Sequence, residues 1–296
     1  MNSKLVIFLV SLFFSTNVTF SQETHVFVSA HPDDWQLFMN PNAYNALKNT
    51  DNKVIFLHTT AGEAGHGIGN NSYYLAREEG SMRAIRFMCN AINGELKQGA
   101  EMNPTQVSLN GHNIQRFSYA NAVVYFLRLP DGNFGGQGYP IHDHHSLKNF
   151  YEGTKTNIHT VDGSTKYSDL DELVETIEAL IAYEANDINT VEINIADTNA
   201  VINPDDHSDH LTSSRIMQKV AMALGLEYVN LYQEYATNKK EMNISGADFL
   251  LCAGTWGATA SGLSDSYHYS TWDQGHNSWI GRQYMRKVKL SDLQKE

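Results

Sequence analysis

The run KVIFLHT, residues 53–59, is apolar at successive positions rather than alternate ones. Strands read this way when helices cover both faces of a parallel sheet. Residues 25–30, 123–129 (VVYFLRL) and 190–196 (TVEINIA) read as further strands. Between them lie longer stretches with a helical period. Residues 72–92 carry Leu75, Met82, Ile85, Met88 and Cys89 at spacings of three, four and seven. Residues 168–183 open with acidic residues and place Leu170, Leu173, Val174, Ile177, Leu180 and Ile181 on one face. Residues 211–226 form a third helical stretch ending at a Gly-containing turn. This alternation predicts an α/β fold of three layers, with helices on both faces of a mostly parallel sheet. Residues 131–168 and 254–279 are rich in Gly, His, Asn and Asp or lack a period, and read as long functional loops.

In such a sheet, ligands bind outside the carboxyl ends of the strands. Two loops rich in ionisable groups fall there. HPDD (His31, Pro32, Asp33, Asp34) follows the first strand, and DDHSDH (Asp205 to His210) follows strand 190–196. His31 and Asp34 are three apart, close enough to reach one ion if the chain turns between them, and His210 completes a three-ligand set of the kind a catalytic zinc uses. Asp33, His207 and Asp209 then remain as acid/base groups around the ion, the parts that metal-assisted hydrolysis needs. Spacing alone also allows a plain helix-capping role: Asp33 or Asp34 before a helix near Trp35, and Asp206 or Ser208 before the helix at 211.

The chain has 296 residues and a formal net charge of −12, with no dense basic run. Nucleic acid and anionic lipid are therefore poor partners. Residues 1–21 have the pattern of a cleaved secretory leader. Lys4 precedes the apolar stretch Leu5 to Phe14, and Thr19 and Ser21 occupy small-residue positions. The stretch is shorter than the roughly 20 residues that span a bilayer. The expected product is a secreted or periplasmic chain in which residues 22–296 form one domain. Its two cysteines, Cys89 and Cys252, are too few and too far apart to define a disulfide framework.

AHPDD (Ala30 to Asp34) together with HSDH (His207 to His210) resembles the paired signature of the PIG-L (LmbE-like) family. TTAGEAG (Thr59 to Gly65), Arg77 and LPDG (Leu129 to Gly132) resemble its intervening motifs. The resemblance spans about residues 24–225 and fades in the C-terminal part from about 227. It implies a Rossmann-like fold and a zinc-dependent N-deacetylase acting on an N-acetylglucosamine-type conjugate. Carried over by position, His31, Asp34 and His210 would be the metal ligands and Asp33 the general base. His207 would steady the tetrahedral intermediate or protonate the leaving amine, oriented and charged by Asp209. Arg77 and Asp131 would contact substrate. Trp35 and Gly80 stand where the family pattern has Glu, and Ser208 where it has Pro. Two other readings fit the residues: an amidase acting on a thiol conjugate or a peptide-like amide, and an inactive exported carbohydrate-binding protein. The segment 267–279 (YHYSTWDQGHNSW) offers aromatics for a sugar cleft, whereas His142, His144 and His145 read as solvated loop histidines.

Overall fold

The computed structural model describes residues 22–69, 72–94 and 101–293, so the leader-like residues 1–21 lie outside the described part. The chain begins at the middle of its sheet with β1 (Thr24–Ser29), followed by α1 (Asp34–Phe38), α2 (Asn42–Lys48), β2 (Lys53–Thr60) and α3 (Tyr73–Asn93). A hairpin of β3 (Asn103–Leu109) and β4 (His112–Tyr119) leads into β5 (Ala122–Leu129). Next come α4 (Leu147–Tyr151), the small pair β6 (Ile158–His159) and β7 (Lys166–Tyr167), α5 (Leu170–Glu184), β8 (Val191–Ala196) and α6 (Ser208–Ala223). The chain closes with β9 (Tyr228–Tyr232), α7 (Gly246–Asp265), α8 (Gln274–Asn277), β10 (Met285–Lys289) and α9 (Leu290–Leu293).

The main sheet runs β10-β9-β8-β1-β2-β5-β4-β3. Its five central strands are parallel, and β10, β4 and β3 pair antiparallel at the two edges. This is the α/β architecture expected from the sequence. The two-sided burial of β2 is explicit. Ile55 and Leu57 enter one core with Leu173, Ile177, Leu180 and Ile181 of α5 and Ile216, Met217 and Val220 of α6. Val54 and Phe56 enter the other core with Trp35, Phe38, Leu47, Ile85, Met88 and Trp256. Each fully buried side chain of this kind contributes roughly 1.5–3 kcal/mol, so the α5 stripe alone outweighs any propensity term in that helix.

Three segments depart from the expectation. Residues 254–279 are not one loop, because most of α7 lies there. Its Gly, Ala and Thr residues give little hydrophobic period, but they let α7 approach α3 closely. A Cβ on Gly80 would lie 2.7 Å from the Thr259 carbonyl oxygen, and one on Gly262 would lie 2.5 Å from the Gly80 nitrogen. Residues 131–168 contain α4 and the β6–β7 pair. Helix α6 begins at Ser208 rather than 211, because the His207 ring caps it by accepting the Asp209 N–H. The C-terminal residues, where the resemblance fades, complete the same sheet through β9 and β10. Cys89 and Cys252 are buried and unpaired. No helix among the described residues is long and apolar enough to cross a membrane.

From β1 the chain moves through β2 toward β5, and β8 later pairs on the opposite side of β1 before continuing to β9. Connections leaving β1 and β8 pack on opposite faces: α1 and α2 on one, α6 on the other. The crevice between the carboxyl ends of β1 and β8 is the switch point where ligands enter such sheets. Both ligand-rich loops open there.

Candidate active site

After β1 the backbone closes a tight turn. The Asp34 N–H donates to the His31 carbonyl at 3.3 Å, and the His31 N–H donates to Asp34 Oδ2 at 2.7 Å. Pro32, with its φ fixed, suits this turn. Asp33 occupies the cap position of α1 but makes no capping bond. Its carboxylate instead pairs with the Arg77 guanidinium, which reaches across from α3. The capping alternative for HPDD therefore fails for Asp33.

On the other side of the crevice, His210 lies in the first turn of α6. Its Nε2 is 3.2 Å from His31 Nδ1 and 3.3 Å from Asp34 Oδ1, and His31 Nδ1 is 3.5 Å from Asp34 Oδ2. These separations suit a metal ion. Four ligands at zinc–nitrogen and zinc–oxygen distances of about 2.0–2.2 Å stand about 3.3–3.6 Å apart at the corners of a tetrahedron. Without a cation, two imidazole nitrogens at 3.2 Å would oppose lone pairs unless one carries a proton. Donor atoms of His207 also lie within 4.8 Å of those of His31 and His210, and a second group joins His31, Asp131, His207 and Asp209.

The electrostatics have the same origin. Burial works against the charged form of His31, but Asp34, Asp209 and Asp131 overcome it and push the ring up to about 10. His210 is also raised, against burial, by Asp34, Glu234 and Asp206. Asp34 is held well below the usual carboxylate range, since His210 and His31 outweigh the effect of burial. A site that gathers positive charge this strongly on two imidazoles is one that a bound cation would satisfy. His207 goes the other way. Burial, then the neighbouring His31 and His210, push it down to about 2. With Nδ1 accepting from the Asp209 backbone, the ring is neutral and its proton sits on Nε2.

Two expected partnerships differ in detail. Asp209 does not bond the His207 ring through its carboxylate. Its Oδ2 lies 3.9 Å from His207 Nδ1, accepts the Gly132 N–H at 2.8 Å and sits 3.4 Å from His31 Nε2. The physical reason is the α6 cap: His207 Nδ1 is already occupied by a backbone N–H. Gly132 of LPDG is what admits the carboxylate, since a Cβ there would stand 2.4 Å from Asp209 Oδ1. Arg77, read as a substrate contact, is engaged by Asp33 and by the Gly62 carbonyl at 2.6 Å. Asp131 is fixed at the cleft by its own bonds: Oδ2 accepts from the Ala64 N–H and Oδ1 from the Asn133 N–H. Its N–H donates to Glu63, and buried Glu63 lies 2.8 Å from His142 Nε2. His142 is therefore not a free solvated histidine.

The crevice encloses about 280 Å³ and is lined by His31, Asp33, Asp34, Arg77, Asp131 and His207, with an aromatic wall of Phe134, Tyr139, Tyr235 and Trp279. The Tyr235 ring stacks on Trp279 at 5.1 Å and on Phe134 at 6.5 Å. Of the segment 267–279, His276 and Trp279 reach the cleft, whereas Tyr267 and Tyr269 are exposed. A larger groove of about 510 Å³ lies at the other end of the strands, along residues 189–193 and 224–230. Its Glu192 and Glu227 are tied to Lys287 and Lys289, and among the described residues no group of three donors converges there. His31, Asp131 and His207, which belong to converging donor groups, line the smaller cleft instead. Trp279 comes from the segment read as a source of cleft aromatics, whereas Tyr235 and the buried Glu234 just after β9 were not foreseen. That strand's polar flanks hide it in the sequence.

No family profile and no curated protein matches this sequence. Among solved structures, N,N'-diacetylchitobiose deacetylase from Pyrococcus horikoshii aligns over 92% of this chain and 86% of its own, at 10% identity and a TM-score of 0.48. The A40926 pseudoaglycone deacetylase aligns over 90% and 96%, at 12% identity and 0.45. The zinc-inhibited form of a teicoplanin deacetylase aligns over 90% and 98%, at 12% identity and 0.46. At these TM-scores the likenesses decide nothing about the chemistry of this chain.

Proposed function

We propose that this chain is a metal-dependent N-deacetylase that hydrolyses the acetamide of an N-acetyl-sugar conjugate. The observation that carries the reading is the convergence of His31 Nδ1, Asp34 and His210 Nε2 at 3.2–3.5 Å, with the carboxylate of Asp33 beside them in the same cleft. A binding protein has no need of that further carboxylate. His31, Asp34 and His210 would hold a zinc ion, which when bound supplies Lewis acidity and a water of lowered pKa.

The chain's own groups do the rest. Arg77 fixes Asp33 through Oδ1, leaving Oδ2 to take the proton of the attacking water. Neutral His207 offers its Nε2–H to the developing oxyanion, because Nδ1 is held by the Asp209 N–H. Asp131 borders the space that the sugar would fill. The cleft volume is near the lower end of the roughly 300–1,000 Å³ usual for small-molecule sites, which favours one ring at the reacting position. The aromatic wall suits the apolar face of a pyranose. The leader-like residues 1–21 support a secreted or periplasmic setting.

The test is release of free amine from N-acetylglucosamine derivatives. Release should stop on chelation and return with Zn2+. A folded protein that binds zinc in stoichiometric amount and releases no amine from any N-acetylated sugar tested would overturn the proposal.

A further inference from the structure

Behind His210 sits a second, wholly buried group of carboxylates. His210 Nδ1, the nitrogen facing away from His31, is 2.9 Å from Asp206 Oδ1 and 2.5 Å from Glu234 Oε2. All three side chains are buried. The three donors are close enough to suggest a cation site of their own, but the distances argue against it. Two ligands of one zinc-sized ion stand about 3 Å or more apart, whereas 2.5 and 2.9 Å are separations of direct charge-assisted contact.

The arrangement is braced from outside. The Asn203 side-chain amide donates to Asp206 Oδ2 at 2.6 Å, and Asn203 Oδ1 accepts the Glu234 N–H at 3.0 Å. Asn203 also donates to the Asp197 carbonyl, and the Asp197 carboxylate is bonded by Arg286 of β10. Glu234 and Arg286 come from the C-terminal part, where the motif resemblance ends. Among the described residues Glu234 Oε2 makes no conventional hydrogen bond, and its 2.5 Å approach to the imidazole is a charge contact beside the hydrogen bond to Asp206.

We infer that Asp206 and Glu234 form a two-carboxylate clamp on His210 Nδ1. The clamp holds the Nδ1–H tautomer and the ring plane, so that Nε2 presents its lone pair beside His31 and Asp34. Both are positioning residues, acting through His210. A carboxylate behind a metal-bound imidazole raises the basicity of that ligand, and its loss usually costs 10–100-fold in metal affinity. This inference rests on the metal-centre reading above.

The measurement is the Zn2+ dissociation constant of the folded protein, by competition with a chromogenic chelator and without substrate. Glu234→Ala should bind Zn2+ about 10–100-fold more weakly, with a circular dichroism spectrum unchanged. Glu234→Gln, which keeps an oxygen acceptor beside Nδ1, should recover most of that loss. Glu234→Asp withdraws the carboxylate by one methylene and should bind weakly, which provides the test if the alanine variant does not fold. Wild-type affinity in Glu234→Ala or Glu234→Asp would overturn the clamp, as would a Gln variant as weak as Ala. Absence of Zn2+ binding by the wild type would instead overturn the metal-centre reading itself.

Discussion

Arg77 and Asp33 are ion-paired inside the cleft, and Arg77 also donates to the Gly62 carbonyl at 2.6 Å. Both side chains are largely shielded from water, and burial alone would disfavour the charged guanidinium. Asp33, together with Tyr73, Asp34 and Asp131, more than reverses that and raises the Arg77 pKa. The pair gives the proposed base a fixed direction, which a free carboxylate on a turn would lack.

Asp33→Asn should therefore leave zinc content unchanged and lower kcat on an N-acetyl sugar by about 10²–10⁴-fold, the usual cost of losing a general base. Metal analysis and steady-state kinetics on the same preparation check it. Wild-type turnover at equal zinc content would reduce Asp33 to a partner for Arg77.

His207→Gln should lower kcat by about 10²–10³-fold, the scale for one oxyanion donor, with KM little changed. The neutral ring of His207, pushed down to about 2 by burial and by His31 and His210, is the basis. A rise in KM at constant kcat would mean that His207 serves ground-state binding instead.

Gly80→Ala puts two effects in opposition. Helix propensity would favour Ala by roughly 1 kcal/mol, but the new Cβ would sit 2.7 Å from the Thr259 carbonyl oxygen. Overpacking of this kind costs about 1–3 kcal/mol, so the variant should unfold at lower temperature. A thermal midpoint at or above that of the wild type would show that α3 and α7 separate without cost.

Asp162 gives a pH signature away from the cleft. Burial would raise its carboxyl, but bonds from Ser164, Thr160 and Arg128 lower it from 3.8 to about 2. Its contribution to stability is complete above pH 3.8 and is lost as pH falls through about 2. Asp162→Asn should thus have a lower urea midpoint than wild type at pH 7, and the gap should narrow toward pH 2. A gap independent of pH would assign the effect to packing.

The parallel core was legible because β1, β2, β5 and β8 carry apolar runs that no other arrangement buries on two sides. The two motif loops were legible because ionisable groups at strand ends are conspicuous. The edge hairpin was not: β3 reads NPTQVSL and is mostly exposed, so it has no hydrophobic pattern to find. Nor was α7, whose small residues serve close helix contact rather than an apolar stripe. The departures from the family pattern have structural counterparts. Trp35 is buried against Phe56, and its Nε1–H donates to Ser81 at 3.1 Å, with His58 Nε2 on the same hydroxyl at 3.0 Å. Gly80 is the contact point for α7. Glu234 and Tyr235 escaped notice because their place beside His210 depends on β9 pairing with β8, a long-range fact that no local spacing carries.

The most direct test is a crystal structure of the zinc-loaded protein with anomalous data collected at the zinc edge. One ion should be bonded to His31 Nδ1, His210 Nε2 and an Asp34 carboxylate oxygen at about 2.0–2.2 Å, with Asp33 outside the coordination sphere. An ion held by another set, such as His31, Asp131, His207 and Asp209, or by Asp206, His210 and Glu234, would contradict that assignment of the ligands.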